Sequence, residues 1–164
     1  MTRLLAAALL VALWMGAALL TITVVAPGAF AVLPTRAMAG DMVGRVLPVV
    51  FAGAVLVPVL VLWLVPAARR APLAVGAAVL AMACSAAALG LVNPRIAALR
   101  AVAVVPIDQL SPADPRRALF GLLHVASVAL LGAAVIALGL LLFWLTRARV
   151  SRRSSLSPSR LEPS

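Results

Sequence analysis

The stretch ADPRRALFGLLHVASVALLGAAVIALGLLLFWLTRAR, residues 113–149, decides the fold. Turn chemistry and two arginines, Arg116 and Arg117, precede an apolar run from Ala118 to Leu145 that only His124 and Ser127 interrupt. Such a run, about 28 residues long, exceeds the ~20 that cross ~30 Å of hydrocarbon at 1.5 Å per residue. It reads as a transmembrane helix, and near its start it carries the chain's single histidine. Asp114 is placed to cap it, with Pro115 at the first helical position, where a missing N–H costs nothing. With Val125 to Leu145 in lipid, His124 sits close to one interface. At 100° per residue, Arg117, Phe120, Gly121, His124, Ser127, Val128 and Leu131 share one broad face. Lipid cannot satisfy polar groups, so this stripe is expected to point into the bundle.

Composition places the rest of the chain in the same class. Apolar residues make up 65% and charged residues 11%, and the mean hydropathy is +1.20. A soluble domain holds about 45–50% apolar and ~25% charged residues. The 164 residues therefore form one membrane domain, with no room for a separate soluble one. The net charge of +10 comes from fourteen arginines, no lysine and four acids. These arginines flank apolar runs, the placement that meets anionic headgroups, so the basic pI points to a lipid bilayer and not to nucleic acid. A single cysteine, Cys84, excludes an intramolecular disulfide and a thiolate metal cluster.

Four spans are expected, at about 4–25, 46–66, 73–93 and 118–146. The first competes with a secretory signal peptide, with Ala29-Phe30-Ala31 as a loose cleavage site. Its apolar core is longer than the ~7–15 residues of a signal and holds Trp14 at its middle, which favours an uncleaved helix. Trp14 lies too deep for an interfacial belt, so its indole N–H needs a buried acceptor. Pro34 and Thr35 open a short interfacial helix whose Gly40 and Gly44 form a small-xxx-small pair, suited to close approach of another backbone. Pro48 fits the first turn of the second span and Pro58 falls inside it. In the third span, Ala74, Ala78, Ala81, Ser85 and Ala88 make a stripe of small residues for tight helix packing. A second interfacial helix is expected from Arg95 to Val105, before Pro106 and Pro112 break the chain.

The fold class is thus an all-α polytopic membrane protein, a four-transmembrane-helix bundle with short interfacial helices in two connections. Residues 1–146 form the transmembrane domain, and 147–164, rich in Ser, Arg and Pro, are expected to be a disordered basic tail. Four spans put both termini on one side. Arg3, Arg69, Arg70, Arg147, Arg149, Arg152, Arg153 and Arg160 lie there. Arg36, Arg45, Arg95, Arg100, Arg116 and Arg117 lie opposite, offset by Asp41, Asp108 and Asp114. This balance predicts cytoplasmic termini in a plasma membrane, with Arg69, Arg70, Arg147, Arg149, Arg152 and Arg153 on anionic lipid headgroups.

Several short motifs resemble a known family. Trp14-x-Gly16, Val25-Ala26-Pro27 with Phe30, Leu33-Pro34, Ala39-Gly40 and Gly44-Arg45 are similar to the opening of the transmembrane protein 205-like family, the bacterial domain of unknown function 4149. Asn93-Pro94-Arg95-Ile96, Leu99-Arg100 and Phe120-Gly121-Leu122-Leu123-His124 with Ser127 resemble its closing half. Aromatic residues usual after the Gly-Arg step are replaced here by Val46, Leu47 and Val49. The resemblance implies four helices and a membrane location and brings no established reaction. A looser similarity exists to copper-resistance membrane domains, but one histidine and five scattered methionines make no copper site.

Two functions from different classes fit. The first is a small transport- or export-associated protein with an outward-facing polar pocket, in which His124, Ser127, Thr21, Thr23, Asn93 and Trp14 are the candidate lining. Histidine changes charge near neutral pH, so its protonation is suited to gating. The second is a non-catalytic scaffold or assembly subunit that uses its small-residue faces on a second copy or another membrane protein. A competing view of His124 makes it a packing residue, hydrogen-bonded to Trp14, a threonine or a backbone carbonyl. An enzyme is not expected, because His124 and Ser127 share one helix and no third group orients the imidazole. No cofactor or metal is expected, and haem held by two histidines would need a dimer. The topology predicts that cysteines at Ser155 and at Asp108, in a Cys84→Ala background, are labelled by an impermeant thiol reagent from opposite sides of the membrane. Labelling of both from one side contradicts it.

Overall fold

The computed structural model describes residues 2–103 and 105–154, with side chains as far as Ser151. Among the described residues there are four helices long and apolar enough to cross a membrane: α1 (Thr2–Val32), α2 (Arg36–Leu64), α3 (Pro72–Ala101) and α4 (Pro115–Ser154). Each packs against its neighbour in sequence, and α4 closes the ring against α1. The protein is an all-α, multi-pass membrane bundle. A 3₁₀ turn, Pro66–Arg70, joins α2 to α3, and a pocket lined by Thr2, Arg3, Val65 and Pro66 places the N-terminus beside it. That end is the near end below. The 33–35 and 102–114 connections mark the far end.

The helices run through places where connections were expected. Residues 36–45 are the first turns of α2 and not a separate interfacial helix, because Thr35 caps them: its hydroxyl accepts from Met38 N at 3.2 Å. Residues 93–101 continue α3 past Asn93-Pro94. Residues 147–154, expected in the disordered tail, continue α4, where the Arg147 guanidinium lies 4.5 Å from the Phe143 ring centroid one turn back. The tail from residue 155 lies outside the described residues. The start of α4 is as expected, with Asp114 Oδ1 accepting from Arg116 N at 2.8 Å. The side chain and backbone of Arg116 hold the Asp114 carboxyl below the ordinary carboxylate range.

How a helix survives Asn93-Pro94 is a question of backbone hydrogen bonds. A proline lacks the N–H its helix needs and its ring collides with the carbonyl four residues back. In α3 the turn Ala88–Val92 is π-helical, and Asn93 N–H donates to Ala88 O, five residues back. In α1 the turn Thr21–Val25 does the same before Pro27, with Ala26 N–H donating to Thr21 O. Widening one turn makes room for the ring and re-pairs the backbone, which hydrocarbon would otherwise leave unsatisfied. Both π turns lie towards the far end.

Small residues bring the helices together. Ala7, Ala18, Ala54, Ala74, Ala78, Ala81, Ala88, Ala134 and Ala137 have no exposed surface, and Ser85 lies in the same stripe. Helices in lipid gain little from apolar burial as such, so this close approach works through dispersion contacts. Phe51, Leu138, Leu141 and Leu145 fill the space between them. Cys84 is free, half-buried and packed on this core.

One polar bond fixes α1 on α2. Trp14 is buried at mid-span, and its Nε1–H donates to Val50 O at 2.9 Å, a carbonyl with a second lone pair to offer. Gly53 makes this contact feasible: a Cβ there would lie 2.6 Å from Trp14 Cδ1 and 2.8 Å from Nε1. The indole is rigid, buried and held by its bond to Val50 O. Trp14→Phe, which removes only the donor, is therefore expected to cost about 1–2 kcal/mol in detergent unfolding. Gly53→Ala is expected to cost more, because it displaces the ring itself. Equal stability of Gly53→Ala and wild type would contradict this packing.

Candidate functional site

Beyond the π turns the bundle divides into two pairs. The far segment of α1, Ala26–Val32, packs on α2, and the two share a small core of Ala29, Ala39 and Val43, separate from the main one. The far segment of α3, Asn93–Ala101, packs on α4. Between the pairs lies a cleft of about 530 Å³.

Arg100 spans the opening. Its Nη1 donates to Gly40 O and to Asp41 Oδ1, each at 3.2 Å, and its guanidinium sits 5.4 Å from the Phe120 ring centroid. The helix spacing that puts Gly40 and Gly44 on one face explains how it fits. A Cβ at Gly40 would lie 2.8 Å from Nη2, and one at Gly44 3.0 Å from Nη1. The small-xxx-small pair thus receives a guanidinium, where the sequence suggested another backbone. The salt bridge itself contributes little, since the Asp41 side chain is 63% exposed and that of Arg100 31%.

The walls are apolar, with Phe30, Val43, Leu47, Ile96, Ile107 and Phe120 among them. The polar lining comprises Arg36, Asp41, Asn93, Arg100, Asp108, His124 and Ser127. Among the described residues two side-chain atoms are wholly buried without a partner, one at the cleft on Asn93 and the other, Ser85 Oγ, in the packed alanine stripe. Ser127 is 3% exposed and makes no hydrogen bond among the described residues, and Asn93 Nδ2 is wholly buried with no acceptor. His124 is exposed along the cleft and faces Phe120, with ring centroids 6.5 Å apart and planes within 9°.

Of the six candidate pocket residues, the structure gathers His124, Ser127 and Asn93 in this cleft and leaves three out. Trp14 is engaged with Val50, Thr21 bonds Ala17 O and Thr23 bonds Leu19 O, both at 2.8 Å on their own helix. None of them pairs with His124. The stripe on α4 is inward only in part: Ser127 and Leu131 are buried, whereas Gly121, His124 and Val128 are exposed. The reason is the division of the bundle, which removes α1 as a neighbour at that level. Arg36, Asp41, Arg100 and Asp108 were read only as flanking charges, because nothing in their spacing reveals that a 60-residue separation closes at Gly40 and Arg100. Among the headgroup arginines, Arg69 Nε donates to Leu62 O at 2.8 Å and stays exposed at the near end.

Residues 9–104 match the model of a family described as a domain of unknown function (DUF4149). The chain belongs to the DUF4149 family. The match covers α1, α2 and α3 with the Trp14–Gly53 contact, the glycine pair, Asn93 and Arg100. Phe120, His124 and Ser127, on α4, lie beyond it. Neither a curated protein nor a solved structure matches the chain. Membership in DUF4149 adds no chemistry to the cleft, which must be read from its side chains.

If the guanidinium is held mainly by the Gly40 carbonyl, the Phe120 face and the glycine recess, the partners should separate on substitution. Asp41→Asn is expected to cost less than ~0.5 kcal/mol, as exposed pairs do. Arg100→Ala loses the carbonyl bond and the ring contact together and is expected to cost about 1–3 kcal/mol. Equal effects in detergent melts would assign the contact to the salt bridge instead.

Proposed function

We propose that this DUF4149 protein is a small, non-catalytic, transport- or export-associated membrane protein whose working part is the far-end cleft around His124, Ser127, Asn93 and Arg100. The observation that carries this reading is that the cleft holds a wholly buried amide donor, Asn93 Nδ2, with no partner among the described residues. Ser85 Oγ is unpaired too, but within the packed alanine stripe; Asn93 Nδ2 stands beside open cleft space lined by Ser127, His124 and Arg100, which is the setting of a ligand site. The arginine balance favours a plasma membrane with cytoplasmic termini, which turns the cleft outward. Anionic headgroups are the partners proposed for Arg69, Arg70 and the basic residues after α4.

The scaffold alternative uses small-residue faces on a partner. Ala74, Ala78, Ala81 and Ala88 are covered within the single chain, so that surface is no longer on offer to a partner. A catalytic role lacks a nucleophile bonded to a base: His124 and Ser127 sit three residues apart on one helix, each without a hydrogen bond among the described residues. His124 can add a charge to a cleft that already holds Arg36 and Arg100 against Asp41 and Asp108, so binding should follow its protonation.

The test is complementation of a deletion strain challenged with a panel of toxic amphiphiles between about pH 5 and 8. Ala97→Trp fills the cleft from its wall, His124→Gln removes the titrating group, and Val49→Trp, on a surface 73% exposed, controls for bulk. Ala97→Trp is expected to fail at every pH, and His124→Gln to lose the pH dependence while remaining well expressed. Full function of Ala97→Trp would remove the cleft from the mechanism.

A further inference from the structure

Resting on that reading, we infer that the cleft takes an amphiphile with a single anionic head, a carboxylate or a phosphate monoester, attached to an apolar chain. The inference comes from sorting the cleft's open hydrogen-bonding capacity by burial. Arg100 engages its two acceptors through Nη1 alone, which leaves Nε and Nη2 free to donate. Asn93 Nδ2 is a wholly buried donor with no acceptor, and the Ser127 hydroxyl, lining the same cleft, makes no hydrogen bond among the described residues. The carboxylates sit elsewhere: Asp41 and Asp108 are exposed, and Asp41 already faces Arg100. The interior of the cleft therefore offers a guanidinium edge and a buried amide N–H beside a hydroxyl that can donate, and the negative charges stand at the rim.

A donor set of this kind is complementary to an oxyanion. A guanidinium edge with an amide N–H and a hydroxyl satisfies carboxylate or phosphate oxygens and leaves an alcohol or ammonium poorly paired. The orphaned Asn93 donor carries a desolvation cost that an anion removes and a cation does not. The remaining walls, Phe30, Val43, Leu47, Ile96 and Phe120, offer apolar surface to a hydrocarbon chain. Head and tail are thus recognised within one cavity of about 530 Å³.

The full-length protein in phosphatidylcholine nanodiscs is titrated with dodecanoate, dodecyl phosphate, dodecanol, dodecyltrimethylammonium and inorganic phosphate. The two anionic amphiphiles are expected to bind one per chain, at least about tenfold tighter than the alcohol or the cation, a difference of about 1.4 kcal/mol. Inorganic phosphate is expected to compete weakly, since it lacks the tail. Asn93→Asp, which replaces a buried donor by a carboxylate at constant shape, should abolish the preference for anions, and Asn93→Ala should weaken it without reversing it. Equal or tighter binding of the cation or alcohol, or an unaltered preference in both Asn93 variants, overturns the assignment. Inorganic phosphate binding as tightly as dodecyl phosphate overturns the tail and leaves a plain oxyanion site. If the neutral and cationic amphiphiles bind as well and are lost in Ala97→Trp, the cleft stands and only its charge selectivity falls. If no amphiphile of any charge is sensitive to Ala97→Trp, the cleft reading itself falls.

Discussion

The guanidinium of Arg100 is the constraint around which the far end of this bundle is arranged. An arginine near the end of a transmembrane helix must find acceptors within the protein or reach the headgroups, because hydrocarbon offers none. Here it crosses to α2, where two glycines a turn apart leave a recess and Gly40 O accepts its proton at 3.2 Å. The glycines are there for a side chain, and the arginine ties the two helix pairs together without closing the space between them. That combination, attachment without closure, produces a cleft and not a packed core.

The division into pairs has its origin in two prolines. Pro27 and Pro94 each follow a π turn, and beyond these turns α1 follows α2 while α3 follows α4. Towards the near end the same four helices form a tight ring of alanines and leucines, anchored by the Trp14 bond to Val50. The molecule thus has a tightly packed half and an open half, and a wholly buried polar atom without a partner occurs in each, Ser85 Oγ in the alanine stripe and Asn93 Nδ2 at the cleft. What distinguishes the open half is that its unpaired buried donor, Asn93 Nδ2, stands beside cleft space and a guanidinium, where a ligand could meet the cost of leaving it unpaired.

Much of this was legible in the sequence, and the parts that were not share a cause. Hydropathy and length gave the spans, and the Ala74–Ala88 stripe is buried as its periodicity implied. Trp14 was read correctly as needing a buried acceptor. Two helices run on where separate interfacial ones were expected: α3 passes Asn93-Pro94 by way of a π turn, and α2 continues without a break from its Thr35 cap through Val46. His124, Ser127 and Asn93 line one cleft. Thr21 and Thr23 do not, because a threonine in a helix readily returns its hydroxyl to the carbonyl four residues back. Contacts such as Arg100 to Gly40 depend on how helices distant in sequence pair, and no local pattern encodes that.

Native mass spectrometry of the protein released from its own membrane measures the central claim most directly, for it asks whether the open half holds anything. The account predicts one acidic amphiphile retained per wild-type chain and a bare chain for an equally stable Ala97→Trp variant. A wild-type protein that is folded and empty, or an adduct that persists when the cleft is filled, would contradict it.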